Sequence, residues 1–284
     1  MMFTNKELFF NLITERERIR LKKEAGDKPP FTDDIILQEC RFCNINREND
    51  KVTRYIRNKY KYSDYLYVNL MIARIINRMD VLDTIYPLDS NTNISDCCEF
   101  INSVIDKRIE EGKTYFSSVY MTNCSQDKFV FEMIPEIYGA TDLLSLDTCQ
   151  KVFNRLTSIP GLGNFLANQI VQDAKNTAGC SIYNASDKFQ FTCIGPGSKR
   201  GISYYYEQNV TDKQFAKYLE MLYKDCEEYF KNNDPLGILP QLDMHNLQNC
   251  LCEYGKYVRN IDGITLDHHK KVRKKNVFCN GFQL

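Results

Sequence analysis

Apolar residues recur at helical spacing along most of this chain, and the alternation expected of strands is scarce. Residues 5–25 place Leu8, Leu12, Ile19 and the stem of Arg16 near one face, and Gly26 with Pro29-Pro30 ends the pattern. Thr32-Asp33-Asp34 supplies N-cap chemistry for a helix starting near Ile35. The pattern is helical and heavily basic from 50 to 60, and residues 65–79 are apolar nearly all round, which predicts a buried core helix. Residues 90–95 read as a polar loop, with Ser95-Asp96 capping a helix that runs to near Glu111. Residues 116–121 and 128–133 are short, β-branched or aromatic, and fit either strands or buried helical segments. Helices are predicted over 143–156 and 164–175, over 212–231 with Phe215, Tyr218, Leu219, Leu222 and Tyr223 on one side, and over 244–257. Residues 267–275 carry five Lys/Arg and two His and read as a solvated tail. No internal repeat is visible, so the expectation is a mainly α chain.

Composition narrows the class. With 284 residues, 43% apolar and 12% aromatic, the chain suits one large domain or two closely packed lobes and excludes collagen-like, coiled-coil and wholly disordered chains. Basic and acidic residues balance at 37 each, which excludes a generic polycation, so contact with nucleic acid requires local clustering. No window offers the roughly eighteen uncharged apolar residues of a membrane span, so no membrane partner is expected. The N-terminal apolar stretch is broken by Asn11 and followed by Arg16, Arg18 and Arg20, unlike a signal peptide. Twelve cysteines are then expected as reduced thiols in the cytoplasm, the host's cytoplasm if the source is viral.

Three segments carry candidate chemistry. Between positions 41 and 61 stand seven Lys/Arg, and on a continuous helix Arg47, Lys51 and Arg54 would share one face. Such a set suits phosphate or pyrophosphate, and equally suits a solvated face paired through Glu48 and Asp50. Leu156 to Gly163, with Pro160-Gly161-Leu162-Gly163 leading into a helix, has the shape of a helix-hairpin-helix whose backbone N–H groups hold a DNA phosphate, and equally of an ordinary turn. Gly195-Pro196-Gly197-Ser198-Lys199-Arg200-Gly201 offers a backbone cradle for phosphoryl oxygens. The run Gly112-Lys113-Thr114 fails as a P-loop because Lys107 stands where a glycine is needed, which argues against a self-contained nucleotide kinase. Cys40-x-x-Cys43 and Cys250-x-Cys252 sit in helix-like patterns, so no metal site is expected.

Taken together these segments resemble the thymine-hypermodification family of α-glutamyl/putrescinyl thymine pyrophosphorylases, or amino acid:DNA transferases, and the related helical domain of 5-hydroxymethyluracil DNA kinases. The resemblance is carried by Thr32-Asp33-Asp34-x-Ile36-Leu37, by Arg41-Phe42-Cys43-Asn44-x-x-Arg47-x-x-Asp50-x-Val52-Thr53, and by Ile159-Pro160-Gly161-Leu162-Gly163-x-Phe165-Leu166-Ala167-x-Gln169-Ile170. Gly195-Pro196-Gly197-Ser198-x-Arg200-Gly201 and Leu251-Cys252-Glu253-Tyr254-x-Lys256-Tyr257-x-Arg259 complete it, in order over residues 32–259. It implies a mainly α fold like the helix-hairpin-helix DNA glycosylases, with two helical lobes around a basic cleft. The expected organisation is one two-lobed catalytic unit over 1–262, a lobe boundary near 140–150, the hairpin at 156–175 and a basic tail at 263–284.

The implied reaction attacks the methyl carbon of a 5-(pyrophosphoryloxymethyl)uracil in DNA with an amine and releases pyrophosphate, without a cofactor. Partners would be DNA, an amino acid or polyamine, and a 5-hydroxymethyluracil DNA kinase. Arg41, Arg47, Arg200, Lys199 and Lys256 would clamp phosphate or pyrophosphate. Asn44, Phe42, Gly161, Gly163, Gly195 and Gly197 would contact base or DNA. Asp187 is the first choice of proton acceptor, with Asp173 and Asp50 behind it and Arg47 beside the leaving group. The alternatives are a base-excision glycosylase on the same scaffold and a non-catalytic DNA-binding subunit of a kinase.

Overall fold

A computed structural model of the chain describes residues 4–117 and 124–266, with side chains up to Ile261. Among the described residues all regular structure is helical. In chain order the first α-helices are α1 (Asn5–Glu24), α2 (Ile35–Glu39), α3 (Lys51–Tyr60), α4 (Leu66–Ile76), α5 (Met79–Leu82) and α6 (Ile94–Glu110). They are followed by α7 (Ile134–Tyr138), α8 (Cys149–Thr157), α9 (Asn164–Lys175), α10 (Pro196–Tyr205), α11 (Asp212–Phe230) and α12 (Met244–Leu266). The chain divides into two compact units, Met1–Asp50 with Ile194–Leu284, and Lys51–Cys193.

In the first unit α1 starts on a capping box: Thr4 Oγ1 accepts the Glu7 N–H at 3.2 Å, and Glu7 Oε2 accepts the Thr4 N–H at 2.8 Å. Its apolar face brings Phe9 edge-on to Tyr205 and to Tyr254, both at 5.3 Å between ring centres. α11 adds Phe215, Leu219, Leu222, Cys226 and Phe230, the spacing of one helical stripe. α10 lies against α12 so closely that a Cβ at Gly201 would stand 2.0 Å from the Leu251 carbonyl oxygen.

The second unit is built on α4, every residue of which is buried from Leu66 to Ile76, and on α9, buried from Leu166 to Lys175. α4 ends where Asn77 turns left-handed at φ 49°, a conformation asparagine tolerates better than most residues. α8 and α9 are joined by the turn through Pro160-Gly161-Leu162-Gly163. Residues 140–150, expected as a lobe boundary, lie inside this unit, where Ala140, Leu143 and Cys149 are buried in its core.

Several local expectations shift. Of the two forms open to 128–133, Lys128–Met133 takes the buried helical one, as a π-helical segment with Phe129, Val130 and Met133 buried; residues 118–121 of the companion segment lie outside the described residues. The cap of α6 is Asn93, whose side chain accepts from the Ser95 and Asp96 N–H groups, so those two residues fill the first turn instead. The helix expected over 143–156 is a 3-10 turn at Thr141–Ser145 and then α8, restarted by Thr148 accepting from the Lys151 N–H. α12 runs past residue 257 to Leu266, and residues 267–284 of the expected basic tail lie outside the described residues. No helix among the described residues is long and apolar enough to cross a membrane.

Two glycines make a contrasting pair. Gly201→Ala forces a methyl into backbone and should destabilise by about 3 kcal/mol or more. Gly163→Ala, at the cap of α9 with nothing within 4 Å of its Cβ position, should shift stability by about 1 kcal/mol or less. Urea midpoints of the two variants measure the difference.

Candidate functional site

Residues 41–46 form an irregular strap in the first unit, between α2 and a 3-10 turn at Arg47–Asn49. An irregular segment has no helix or ladder to take its carbonyls, and here cationic side chains bond two of them. Arg16 of α1 donates from Nε to the Cys43 carbonyl at 3.0 Å and from Nη2 to the same oxygen. Lys256 of α12 donates to the Arg41 carbonyl and stands 4.5 Å from the centre of the Phe42 ring. Asn246 Oδ1 accepts the Arg47 N–H at 3.3 Å, and Tyr257 donates to Asp34 at 2.5 Å. Lys256, expected as a phosphate ligand, therefore anchors the strap, while Phe42 and Asn44 are half-buried on it and Arg41 is exposed.

The shared face expected for Arg47, Lys51 and Arg54 does not form. Asn46 caps the 3-10 turn by accepting the Glu48 N–H at 2.9 Å, and Asp50 leaves it in extended conformation at ψ 135°. Arg47 thus sits on the turn in the first unit, and Lys51 opens a separate helix in the second. Asp50 closes the turn, its N–H donating to the Arg47 carbonyl at 2.9 Å.

The glycine-rich run 195–201 is the start of α10, with Gly195 as its cap, Pro196 in its first turn and the Ser198 hydroxyl accepting the Gly195 N–H at 3.1 Å. Its glycines serve helix packing: a Cβ at Gly197 would lie 3.1 Å from Cys252 Sγ, and one at Gly255 would lie 3.2 Å from Gly201 N. Lys199 pairs with Asp212 at 2.6 Å on the surface. The pKa of Arg259, whose Nε donates to the Gly255 carbonyl at 3.1 Å, is lowered by burial and then by the Arg200 charge.

Around the strap the charges are mixed. Cys43 is exposed, yet surrounding protein pushes its thiol up to about 12; Glu253 adds to the rise, while Arg16, Arg47 and Lys256 oppose it. Glu253 is 9% exposed, lies 3.7 Å from Lys256 Nζ and accepts no hydrogen bond at Oε2. Arg16 is 5% exposed, and its Nη1 finds no oxygen acceptor. Neither residue stands out in the sequence as a site residue. The signal available was a glutamate one turn from a lysine inside the Leu251-to-Arg259 run, and an arginine on an otherwise apolar helix face.

In the second unit Gly161 is left-handed at φ 88°, and a Cβ there would meet Met133 Sδ at 2.7 Å, so the turn needs glycine twice over. Asp173 on α9 binds Arg74 through both oxygens at 2.5 and 2.6 Å, fully inside the unit, with Thr53 and Asn77 each accepting one further guanidinium N–H. Asp187 caps α8, its oxygens accepting the Cys149 and Gln150 N–H groups at 2.8 and 3.0 Å. The structure thus brings Arg41, Phe42, Asn44, Arg47, Gly195, Gly197, Lys199, Arg200 and Lys256 into the first unit. Gly161, Gly163, Asp173 and Asp187 belong to the second. Among the described residues no group of three or more His, Cys, Asp or Glu has the arrangement to hold a metal ion.

Comparison with known proteins adds a family. A family model described as "5-hmdU DNA kinase, helical domain" matches residues 4–265. A 5-hmdU DNA kinase of Bacillus phage SP10 is 23% identical over 288 aligned residues, covering 88% of this chain and 44% of that protein. The chain therefore spans less than half of that relative's length. No solved structure matches it significantly.

Two outcomes check the geometry. Asp173→Asn leaves the buried Arg74 charge half-met and should cost about 3–5 kcal/mol in urea unfolding. Cys43 in the folded chain should alkylate far more slowly at pH 8 than in the unfolded chain, gaining about tenfold per pH unit up to its pKa, read by mass spectrometry of its peptide.

Proposed function

The chain belongs to the family of helical domains of 5-hmdU DNA kinases, and on that premise we propose that it acts on DNA in thymine hypermodification, as a transferase. In this reading an amine, from an amino acid or a polyamine, joins the methyl carbon of a 5-(pyrophosphoryloxymethyl)uracil and pyrophosphate leaves. The observation that carries it is the gathering of Arg16, Arg47 and Lys256 around the exposed Cys43 in a chain whose total charge is zero. A leaving group with several negative charges needs fixed cations at the place where charge develops. Arg41 takes that part from the strap, Arg47 from the turn that follows it and Arg200 from α10, while Lys256 holds the strap in place.

The base must leave the stack to be reached, with Phe42 offering a ring face and Asn44 a hydrogen-bonding edge. The turn at Gly161 and Gly163 offers backbone N–H groups at the start of α9 to a strand phosphate, which is the glycosylase-like element of the reading. Asp173 and Asp187, with both oxygens occupied, serve the frame. Residues 1–262 act as one working unit in the cytoplasm, without metal or cofactor, and the basic tail at 263–284 adds to DNA contact.

A second reading is a DNA-binding helical companion of a 5-hydroxymethyluracil DNA kinase. It is favoured by the relative's own description as a kinase and by the absence of a G-x-x-x-x-G-K-[ST] loop from this chain.

The discriminating experiment incubates the chain and a mixture of amino acids and polyamines with DNA carrying 5-(pyrophosphoryloxymethyl)uracil, then digests the DNA for mass spectrometry. The expected product is a nucleoside with an amine on the thymine methyl carbon, lost by roughly a hundredfold or more in folded Arg47→Ala. Unchanged nucleosides with DNA retained on the protein select the companion reading, and released free base selects a glycosylase.

A further inference from the structure

The carboxylates of this chain differ sharply in how fully they are used. Asp187 has both oxygens on the N-terminus of α8, Asp173 has both on Arg74, and Asp50 has a partner of its own. Glu253 on α12 is as buried as a framework carboxylate, yet its Oε2 accepts no hydrogen bond. Its ion pair with Lys256, at 3.7 Å, is longer than a hydrogen bond. Burying a carboxylate oxygen without a donor is unfavourable, so a site that tolerates it has a use for the lone pair.

The surroundings say which use. Glu253 acts on the thiols of Cys43 and Cys250, and Arg16 acts on the same two. Arg47 and Lys256 also reach Cys43, and Asp243 acts on Cys250. Glu253 is thus tied to the strap through Lys256, which lies 3.7 Å from its Oε2 and donates to the Arg41 carbonyl, and its charge is felt at Cys43 and Cys250 together with those of Arg16, Arg47, Lys256 and Asp243. An ammonium brought among these cations is pressed to give up a proton, because neighbouring positive charge favours its neutral form. A carboxylate oxygen that is buried and accepts no hydrogen bond has a lone pair left to take that proton, and Lys256 joins it to the strap on which Cys43 is exposed.

We propose that Glu253 accepts the proton of the incoming primary amine, an inference that rests on the transferase reading. The ammonium gives one proton to the Glu253 carboxylate, and the amine's lone pair then forms the new C–N bond to the methyl carbon. The C–O bond to pyrophosphate breaks, its electron pair leaving with pyrophosphate, and the product is a secondary ammonium on the base.

The test compares the full chain with Glu253→Gln and Glu253→Asp on DNA carrying 5-(pyrophosphoryloxymethyl)uracil, with amine in excess and DNA affinity measured separately. Glu253→Gln should lose roughly a hundredfold or more in turnover at neutral pH with DNA affinity unchanged. Its rate should climb about tenfold per pH unit towards the amine's own pKa, while the wild type stays nearly flat over the same range. A residue that merely supports the fold would not produce that recovery. Should the Gln variant fail to fold, Glu253→Asp carries the comparison: a loss of roughly tenfold to a hundredfold supports the role, and an unchanged rate overturns it. Wild-type transfer beside an equally fast Glu253→Gln overturns the role of Glu253 alone. A wild type that makes no aminated nucleoside sinks the transferase reading and this role with it.

Discussion

Where α10 crosses α12, the two backbones come within a distance that a single methyl group would abolish. A Cβ at Gly201 would fall 2.0 Å from the Leu251 carbonyl oxygen, one at Gly197 would press on Cys252, and Gly255 answers from the other helix. Only hydrogen atoms fit between such surfaces, and the reward is dispersion contact along most of α10. The rest of the first unit follows from this approach. With α10 seated on it, α12 presents Asn246, Lys256 and Tyr257 to the segments from 34 to 47, and these side chains fix the strap.

The strap shows how a segment without regular structure is given one conformation. Its carbonyls at Arg41 and Cys43 are held by Lys256 and Arg16, from helices far away in sequence. Charged donors make stronger hydrogen bonds than neutral ones, so two of them hold a loop that would otherwise sample many shapes. Their charges do not vanish in the process. They remain beside Cys43 and Glu253 and set the local field. Positioning and electrostatics are here the work of the same two side chains.

The parts of this architecture that follow from local physics are visible in the sequence. α1, α11 and the buried α4 announce themselves through periodicity and caps, and Pro160 to Gly163 reads as a turn between helices because glycine is what its left-handed backbone requires. What depends on distant partners is not visible. Asp173 looks like a candidate base until Arg74, 99 positions earlier, is seen to occupy both its oxygens. Asp187 looks like one until the N-terminus of α8 is found against it. The basic face expected at Arg47, Lys51 and Arg54 fails for a local reason that periodicity does not register, the cap formed by Asn46. The run at 195–201 carries glycines for packing, a purpose indistinguishable in sequence from cradling an anion.

Two buried ionic clusters among the described residues differ in how completely their charges are met. Arg74 in the second unit meets Asp173, Thr53 and Asn77 with matched geometry, so the low-dielectric interior strengthens every contact and leaves nothing to gain from a ligand. In the first unit Arg16 keeps Nη1 without an oxygen acceptor and Glu253 keeps Oε2 without a donor, although both are nearly as buried. A fold under selection for stability alone would complete or delete such a pair, since replacing buried charge by packed apolar groups is often neutral or better. The incomplete cluster stands beside the exposed Cys43 and the cations of the strap, and the complete one lies sealed in a core. Incompleteness of buried charge, more than the identity of any residue, is what singles out α12 and the strap as the place where the proposed chemistry would be sought.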